Sequence, residues 1–245
     1  MIRVAVTGYL GRMGSEVVRA ITAAQDMEVV ALIEVNDNLQ QALLDSKADV
    51  MIDFTVPDVA FTHIMTALES GVIPVVGTTG LTREQLNKIS DTSVELAIPA
   101  LVIPNFAIGA VLMMQFSAQA AKYLPDVEII EYHHEKKVDA PSGTALKTAQ
   151  MIDENRLSHP STKPVGAFES VAGARGGLAF GTVPIHSVRL PGFVASQEVL
   201  FGAPGQLLTI RHDSIDRTSF MPGVVLAVRK ASQTSGLTYG LEALL

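Results

Sequence analysis

Met1-Ile2-Arg3-Val4-Ala5-Val6-Thr7-Gly8-Tyr9-Leu10-Gly11-Arg12-Met13-Gly14 decides the fold. Ile2–Thr7 is an apolar run rich in β-branched residues and predicts a strand. Three glycines follow at G-x-x-G-x-x-G spacing, and Ser15–Ala24 (SEVVRAITAA) then carries a helical pattern. Strand, glycine loop and helix in that order make a dinucleotide-binding turn. The glycines let the backbone turn sharply and approach a pyrophosphate, while the helix start turns its free N–H groups toward the phosphates. A second strand, Glu28–Ile33, ends in Glu34, which lies 20 residues after Gly14. A carboxylate there accepts from the hydroxyls of an adenosine ribose.

Outward from that turn, the first hundred residues alternate strand and helix. Strands are predicted at Val50–Phe54, Ile73–Val76, Glu95–Ile98 and Ala100–Ile103, and helices most clearly at Asp58–Glu69 and Arg83–Ser90. The strands are continuous apolar runs, as a parallel sheet covered on both faces requires. The fold class is α/β, with an N-terminal doubly wound, Rossmann-like sheet. Cofactors lie across the carboxyl ends of such strands. Gly77-Thr78-Thr79 falls there, as does Pro104-Asn105-Phe106, where Asn105 is placed to hold a nicotinamide carboxamide or ribose and Phe106 to wall the ring. Asp53-Phe54-Thr55 is a weaker candidate of the same kind.

The pattern changes after Asn105. A long helix to about Tyr123, a strand at Glu128–His134 and a helix to about Glu154 come first. Arg156–Gly181 is polar, rich in Gly, Ser and Pro, and predicts an extended loop. Three strands follow at Val183–Leu190, Phe193–Phe201 and Gln206–Asp213, with turns at Pro191-Gly192 and Pro204-Gly205. These segments make a smaller α+β domain with a mixed sheet, spanning residues 106–216. The dinucleotide domain takes residues 1–105, and a helical run at Gly223–Val228 returns to it within the segment 217–245.

The second decisive stretch is Glu131–Ala145, EYHHEKKVDAPSGTA. It holds two imidazoles and two ammonium groups, and Lys137 follows His133 by four residues. Consecutive strand residues face opposite ways, so His133 and His134 share a site only near the strand end. Gly143 and Thr144 open a helical run, and a helix start suits an anion. Together these groups predict binding and proton transfer on a small negatively charged molecule. His63, His159, His186 and His212 lack comparable company and are read as structural.

Bulk properties narrow the partners. The formal charge of −7 argues against nucleic acid or an anionic membrane. The absence of cysteine removes disulfides, thiol nucleophiles and thiolate metal sites, and fits a reducing cytosol. No metal site is expected beside the lysines. Phe106–Leu124 is long and apolar, but Gln115, Ser117 and Gln119 interrupt it, so a buried helix is expected rather than a membrane span. No signal peptide is expected, because the first strand begins at once.

The strings VTGYLGRMG, VMIDFTVP, VVGTTG, IPNFAIGAVL and EYHHEKKVDAPSGTA, in this order over the full length, resemble the dihydrodipicolinate reductase (4-hydroxy-tetrahydrodipicolinate reductase) family of lysine and diaminopimelate biosynthesis. The resemblance implies a catalytic His133, a proton donor in Lys137, and substrate carboxylates held by His134, Gly143 and Thr144. It implies a dinucleotide on Gly8, Tyr9, Leu10, Gly11, Arg12, Met13 and Glu34, with Gly77, Thr78, Thr79, Ile103, Pro104, Asn105 and Phe106 on the nicotinamide side. It also implies NADH and/or NADPH as cofactor, a small dicarboxylate substrate, and a cytoplasmic homotetramer assembled through the second sheet. A donor lysine is effective if neighbouring cations lower its proton affinity toward working pH. Many members place a basic residue directly after the ribose acid; here Val35 stands there, followed by Asn36 and Asp37, leaving Arg12 as the obvious cation for a 2′-phosphate. The residues also admit another two-domain nicotinamide dehydrogenase of amino-acid metabolism, or a dinucleotide sensor without catalysis.

Overall fold

The computed structural model describes residues 1–161 and 166–245. The chain divides into two units, Met1–Ile108 with Arg217–Leu245, and Gly109–Asp216. First come β1 (Ile2–Thr7), α1 (Arg12–Ala23), β2 (Met27–Ile33), α2 (Leu39–Ser46), β3 (Val50–Asp53), α3 (Pro57–Glu69), β4 (Ile73–Val76), α4 (Arg83–Leu96) and β5 (Ala100–Val102). Next are α5 (Ile108–Ala121), β6 (Asp126–His133), α6 (Gly143–Asn155), β7 (Gly177–Ala179), β8 (Val183–Arg189), β9 (Ala195–Ala203) and β10 (Gln206–Ser214). The last two are α7 (Met221–Lys230), which contains the run read as helical, and β11 (Leu237–Tyr239).

The first unit holds a six-stranded sheet in the order β11-β5-β4-β3-β1-β2, with every neighbouring pair parallel. Val4, Ala5, Val6, Met51, Ile52, Val75, Val76 and Leu101 are wholly buried, as strands covered on both faces must be. Burying each larger aliphatic side chain contributes about 1.5–3 kcal/mol. From β1 the chain runs outward to β2, then returns to β3 on the other side. The topological switch point therefore lies between β1 and β3, where ligands meet such sheets.

One predicted strand is not there. Glu95 and Leu96 form the end of α4, and Ala97 takes a left-handed conformation with φ 55°. The physical reason is local: Thr82 and Gln85 close a reciprocal capping box that starts α4 firmly. At the other end Ile98 N donates to Ser93 O at 3.0 Å and ties off the helix. The short run ELAI has no spare length for a strand before β5.

The second unit contains a five-stranded sheet, β10-β9-β6-β8-β7, in which β6 and β8 are parallel and the other pairs antiparallel. Helix α6 packs against β6, β7 and β8. Along β6 burial alternates, with Val127, Ile129 and Glu131 facing inward. A carboxylate thus takes a place in a row of aliphatic side chains. Within the predicted loop 156–181, residues 177–179 instead form β7 against β8, and residues 162–165 lie outside the described residues. Helix α5 is 14 residues long, and among the described residues no helix is long and apolar enough to cross a membrane.

Candidate active site

In the first unit the glycine loop joins β1 to α1. Gly8 takes φ +70°, which a side chain would resist. A Cβ at Gly14 would lie 2.1 Å from Gly8 O, so only glycine lets α1 approach the loop this closely. Beside the loop, at the switch point, lies a cavity of about 610 Å³. Gly8, Leu10, Gly11 and Glu34 line it, together with Phe54, Thr55 and His63. Glu34 Oε1 accepts from Leu10 N at 2.8 Å, which fixes the acid at the loop. Glu34 N in turn donates to Asp37 Oδ2 at 2.8 Å, and Asp37 also lines the cavity. The residue after the acid, Val35, is 90% exposed. Tyr9, Arg12 and Met13 are not among the lining residues.

The loops after β3 and β4 converge on Asp53. This buried carboxylate accepts from Thr55 N at 2.9 Å, Thr55 Oγ1 at 2.7 Å, Thr78 Oγ1 at 3.0 Å and His63 Nδ1 at 2.6 Å. Burial alone would push its carboxyl up; the bonds from His63 and Thr55 outweigh that and hold it below the usual carboxylate range. Gly77 packs so tightly on the Phe54 ring that a Cβ would come within 2.2 Å. Phe54 also meets Phe106, with centroids 5.4 Å apart. Phe54 lines the cavity, while Phe106 is 2% exposed and Ile103 wholly buried. Asn105 Oδ1 accepts from Ala107 N at 2.9 Å, shaping the turn that Pro104 opens. His63, read from sequence as structural, lies at the cavity. Its signal was available in part: an acid ending a buried strand needs a donor, and the next helix carries one.

The second unit carries a separate polar cluster. His133 is the last residue of β6, and its Nδ1 bonds the Glu131 carboxylate. Residues two apart on a strand share a face, which puts these two side by side. Arg189 stands opposite His133 in the β6–β8 register, and its Nη2 donates to Glu131 Oε1 at 2.8 Å. The same nitrogen donates to Asp139 O at 2.7 Å. Asp139 Oδ1 meets Lys137 Nζ at 2.7 Å. His133, Glu131, Arg189, Asp139 and Lys137 thus form one continuous polar chain. Burial would raise the Glu131 carboxyl, but the bonds from His133, Arg189 and Ser187 hold it at about 2. The partner found for Lys137 is a carboxylate, where the sequence led to an expectation of cations. Lys137 holds Asp139 below the usual carboxylate range.

The loop after β6 is fixed at both ends. Lys137 N donates to His134 O at 3.1 Å, which closes a turn just past the strand. At the far end Ser142 caps α6, its Oγ accepting from Ala145 N at 3.2 Å. Gly143 and Thr144 are the first two residues of α6, where backbone N–H groups point out of the helix end. Imidazole, ammonium and helix start can together neutralise carboxylates and move a proton. Glu131 and Arg189 were not singled out in sequence; their roles emerge only from strand register.

Two family models match the chain, "Dihydrodipicolinate reductase, N-terminus" over residues 2–106 and "Dihydrodipicolinate reductase, C-terminus" over residues 109–245. The 4-hydroxy-tetrahydrodipicolinate reductase of Enterococcus faecalis is 51% identical over 261 aligned positions, with all of both chains covered. That of Listeria welshimeri is 49% identical, again over the whole of both chains. Among solved structures, dipicolinate-bound dihydrodipicolinate reductase from Paenisporosarcina sp. TG-14 is similar with a TM-score of 0.91, 46% identity and full coverage of both chains.

Proposed function

The chain belongs to the dihydrodipicolinate reductase family, oxidoreductases of lysine and diaminopimelate biosynthesis, and we propose that it reduces 4-hydroxy-tetrahydrodipicolinate to tetrahydrodipicolinate with a reduced nicotinamide dinucleotide. One hydride and one proton enter, and one water leaves. The bound nicotinamide supplies the hydride. The chain's residues do the rest. Gly8 to Met13 and the start of α1 receive the pyrophosphate; the positive φ at Gly8 shapes the turn, and the bare Cα at Gly14 lets α1 pack close against it. Glu34 accepts from the ribose hydroxyls. Gly77, Thr78, Thr79 and residues 103–106 belong to the nicotinamide side, shaped by the bonds on Asp53 and by Phe54.

The observation that carries this reading is the polar chain from His133 to Lys137, beside a capped helix start. His134, Gly143 and Thr144 hold carboxylates. Lys137 donates the proton that the ring takes up after hydride transfer, and His133 stands at the same site. The Paenisporosarcina relative was solved with dipicolinate bound, and a dicarboxylate of that class suits the cations and helix start of this loop.

Cofactor use is dual with a tilt to NADH. Glu34 and Asp37 both border the ribose end of the cavity, Val35 brings no cation, and Arg12 is not among the lining residues. A 2′-phosphate meets repulsion there. The protein acts in the cytoplasm as a homotetramer joined through the second sheet, whose outer strand β10 presents Leu207 at 84% exposure. Loss of NADH absorbance with freshly generated 4-hydroxy-tetrahydrodipicolinate tests the activity. Turnover is expected with this substrate. Its absence, with cofactor binding intact, would leave the dinucleotide-sensor reading instead.

A further inference from the structure

Glu131 has no exposed side-chain surface and lies among aliphatic neighbours on the inward face of β6. A lone carboxylate in such a place is costly, so both its oxygens are engaged. One accepts from His133 Nδ1 and the other from Arg189 Nη2. Arg189 also holds the carbonyl of Asp139, two residues past Lys137. An ionised carboxylate has only acceptors, so the proton between Glu131 and His133 must sit on Nδ1. Nε2 is then the nitrogen left to work on a ligand, as lone pair of the neutral ring or as second N–H of the cation.

We propose that Glu131 is the positioning residue for His133, fixing the ring's orientation and its Nδ1–H tautomer, with Arg189 locking the carboxylate in turn. This rests on the proposed reductase reading, in which His133 acts at the substrate. Glu131 touches no substrate in this scheme; it acts through the imidazole. Arg189 couples that orientation to the loop that carries Lys137, so the two site residues share one support.

The test is Glu131→Gln, which keeps shape and removes charge. Arginine has only donors, so Arg189 claims the amide oxygen of Gln. The amide NH₂ then faces Nδ1, which must become an acceptor, and the ring proton moves to Nε2. Ring-nitrogen NMR is expected to show Nδ1 protonated in the wild type and unprotonated in the folded variant. Misplacing a reacting group by about 1 Å costs on the order of 10²-fold, so kcat is expected to fall by about that factor. NADH affinity should stay within about twofold, since the cofactor is assigned to the other unit. A wild-type His133 carrying its neutral-ring proton on Nε2 overturns the proposal without any variant, which covers the case in which Glu131→Gln does not fold. An active wild type with Glu131→Gln retaining kcat within about twofold overturns it alone. A wild type without reductase activity overturns the functional reading instead.

Discussion

Replacing Val35 with arginine should turn the cofactor preference toward NADPH. Val35 lines the cavity directly after Glu34 and is 90% exposed, so the change disturbs no packing. Wild type sets the Glu34 and Asp37 carboxylates against a 2′-phosphate that carries nearly two negative charges. A guanidinium about 5 Å from that phosphate, in nearly aqueous surroundings and physiological salt, attracts it by roughly 1–1.5 kcal/mol. That corresponds to about five- to tenfold in Kd for NADPH, with little change for NADH, which has no charge at that position. The assay is fluorescence titration of both reduced cofactors against wild type and Val35→Arg. A Kd ratio that stays within about twofold would show that this rim does not read the 2′ position. Wild-type binding of NADPH more than tenfold tighter than NADH, about 1.4 kcal/mol, would refute the tilt itself.

Other outcomes follow from the same geometry. Lys137→Met keeps the stem but removes proton and charge, so kcat should fall about 10²–10⁴-fold; a change in KM alone would make Lys137 a carboxylate clamp. Thr144→Val should raise KM for substrate more than it lowers kcat, because carboxylate binding is similar in ground and transition states, and a steady-state comparison settles this. Gly14→Ala would force a Cβ to 2.1 Å from Gly8 O, so a lower melting temperature and weaker NADH binding are expected from thermal unfolding and titration. Glu131 is held at about 2 against an ordinary 4.5, so its stabilising contribution is complete above pH 4.5 and fades as pH falls toward 2. A tenfold change in proton affinity is worth about 1.4 kcal/mol, so the stability difference between wild type and Glu131→Gln should shrink by about 2–3 kcal/mol between roughly pH 6 and pH 2. Denaturant unfolding at several pH values checks this, and a constant difference would contradict it.

The parallel sheet was legible because its strands are buried on both faces and read as unbroken apolar runs. The glycine loop was legible because Gly8 and Gly14 answer separate backbone demands. At Glu95–Ile98 local character misled: the apolar Leu96, Ala97 and Ile98 look like a strand, yet α4 runs to Leu96, turns left-handed at Ala97 and is tied off by Ile98 N on Ser93 O. The short strands β7 and β11, three residues each, carry too little pattern to announce themselves. The loop of His133, His134 and Lys137 stood out by residue type, and the structure puts His133 and Lys137 on one polar chain. The members between them did not stand out. Glu131 looks like an ordinary alternating strand residue, and Arg189 like a charge at a strand end. Only the pairing of β6 with β8 sets Arg189 opposite His133. His63, read as structural, bonds the buried Asp53 from the next helix and also lines the cavity.

The most direct test of the reductase claim follows the hydrogen itself. NADH deuterated at the transferring C4 position is given to the wild-type protein with freshly generated 4-hydroxy-tetrahydrodipicolinate, and the product is analysed by mass spectrometry. One deuterium carried on carbon in tetrahydrodipicolinate, with a matching amount of NAD⁺, is the expected result. Oxidation of NADH with no label in the product, or no oxidation at saturating substrate, would contradict it.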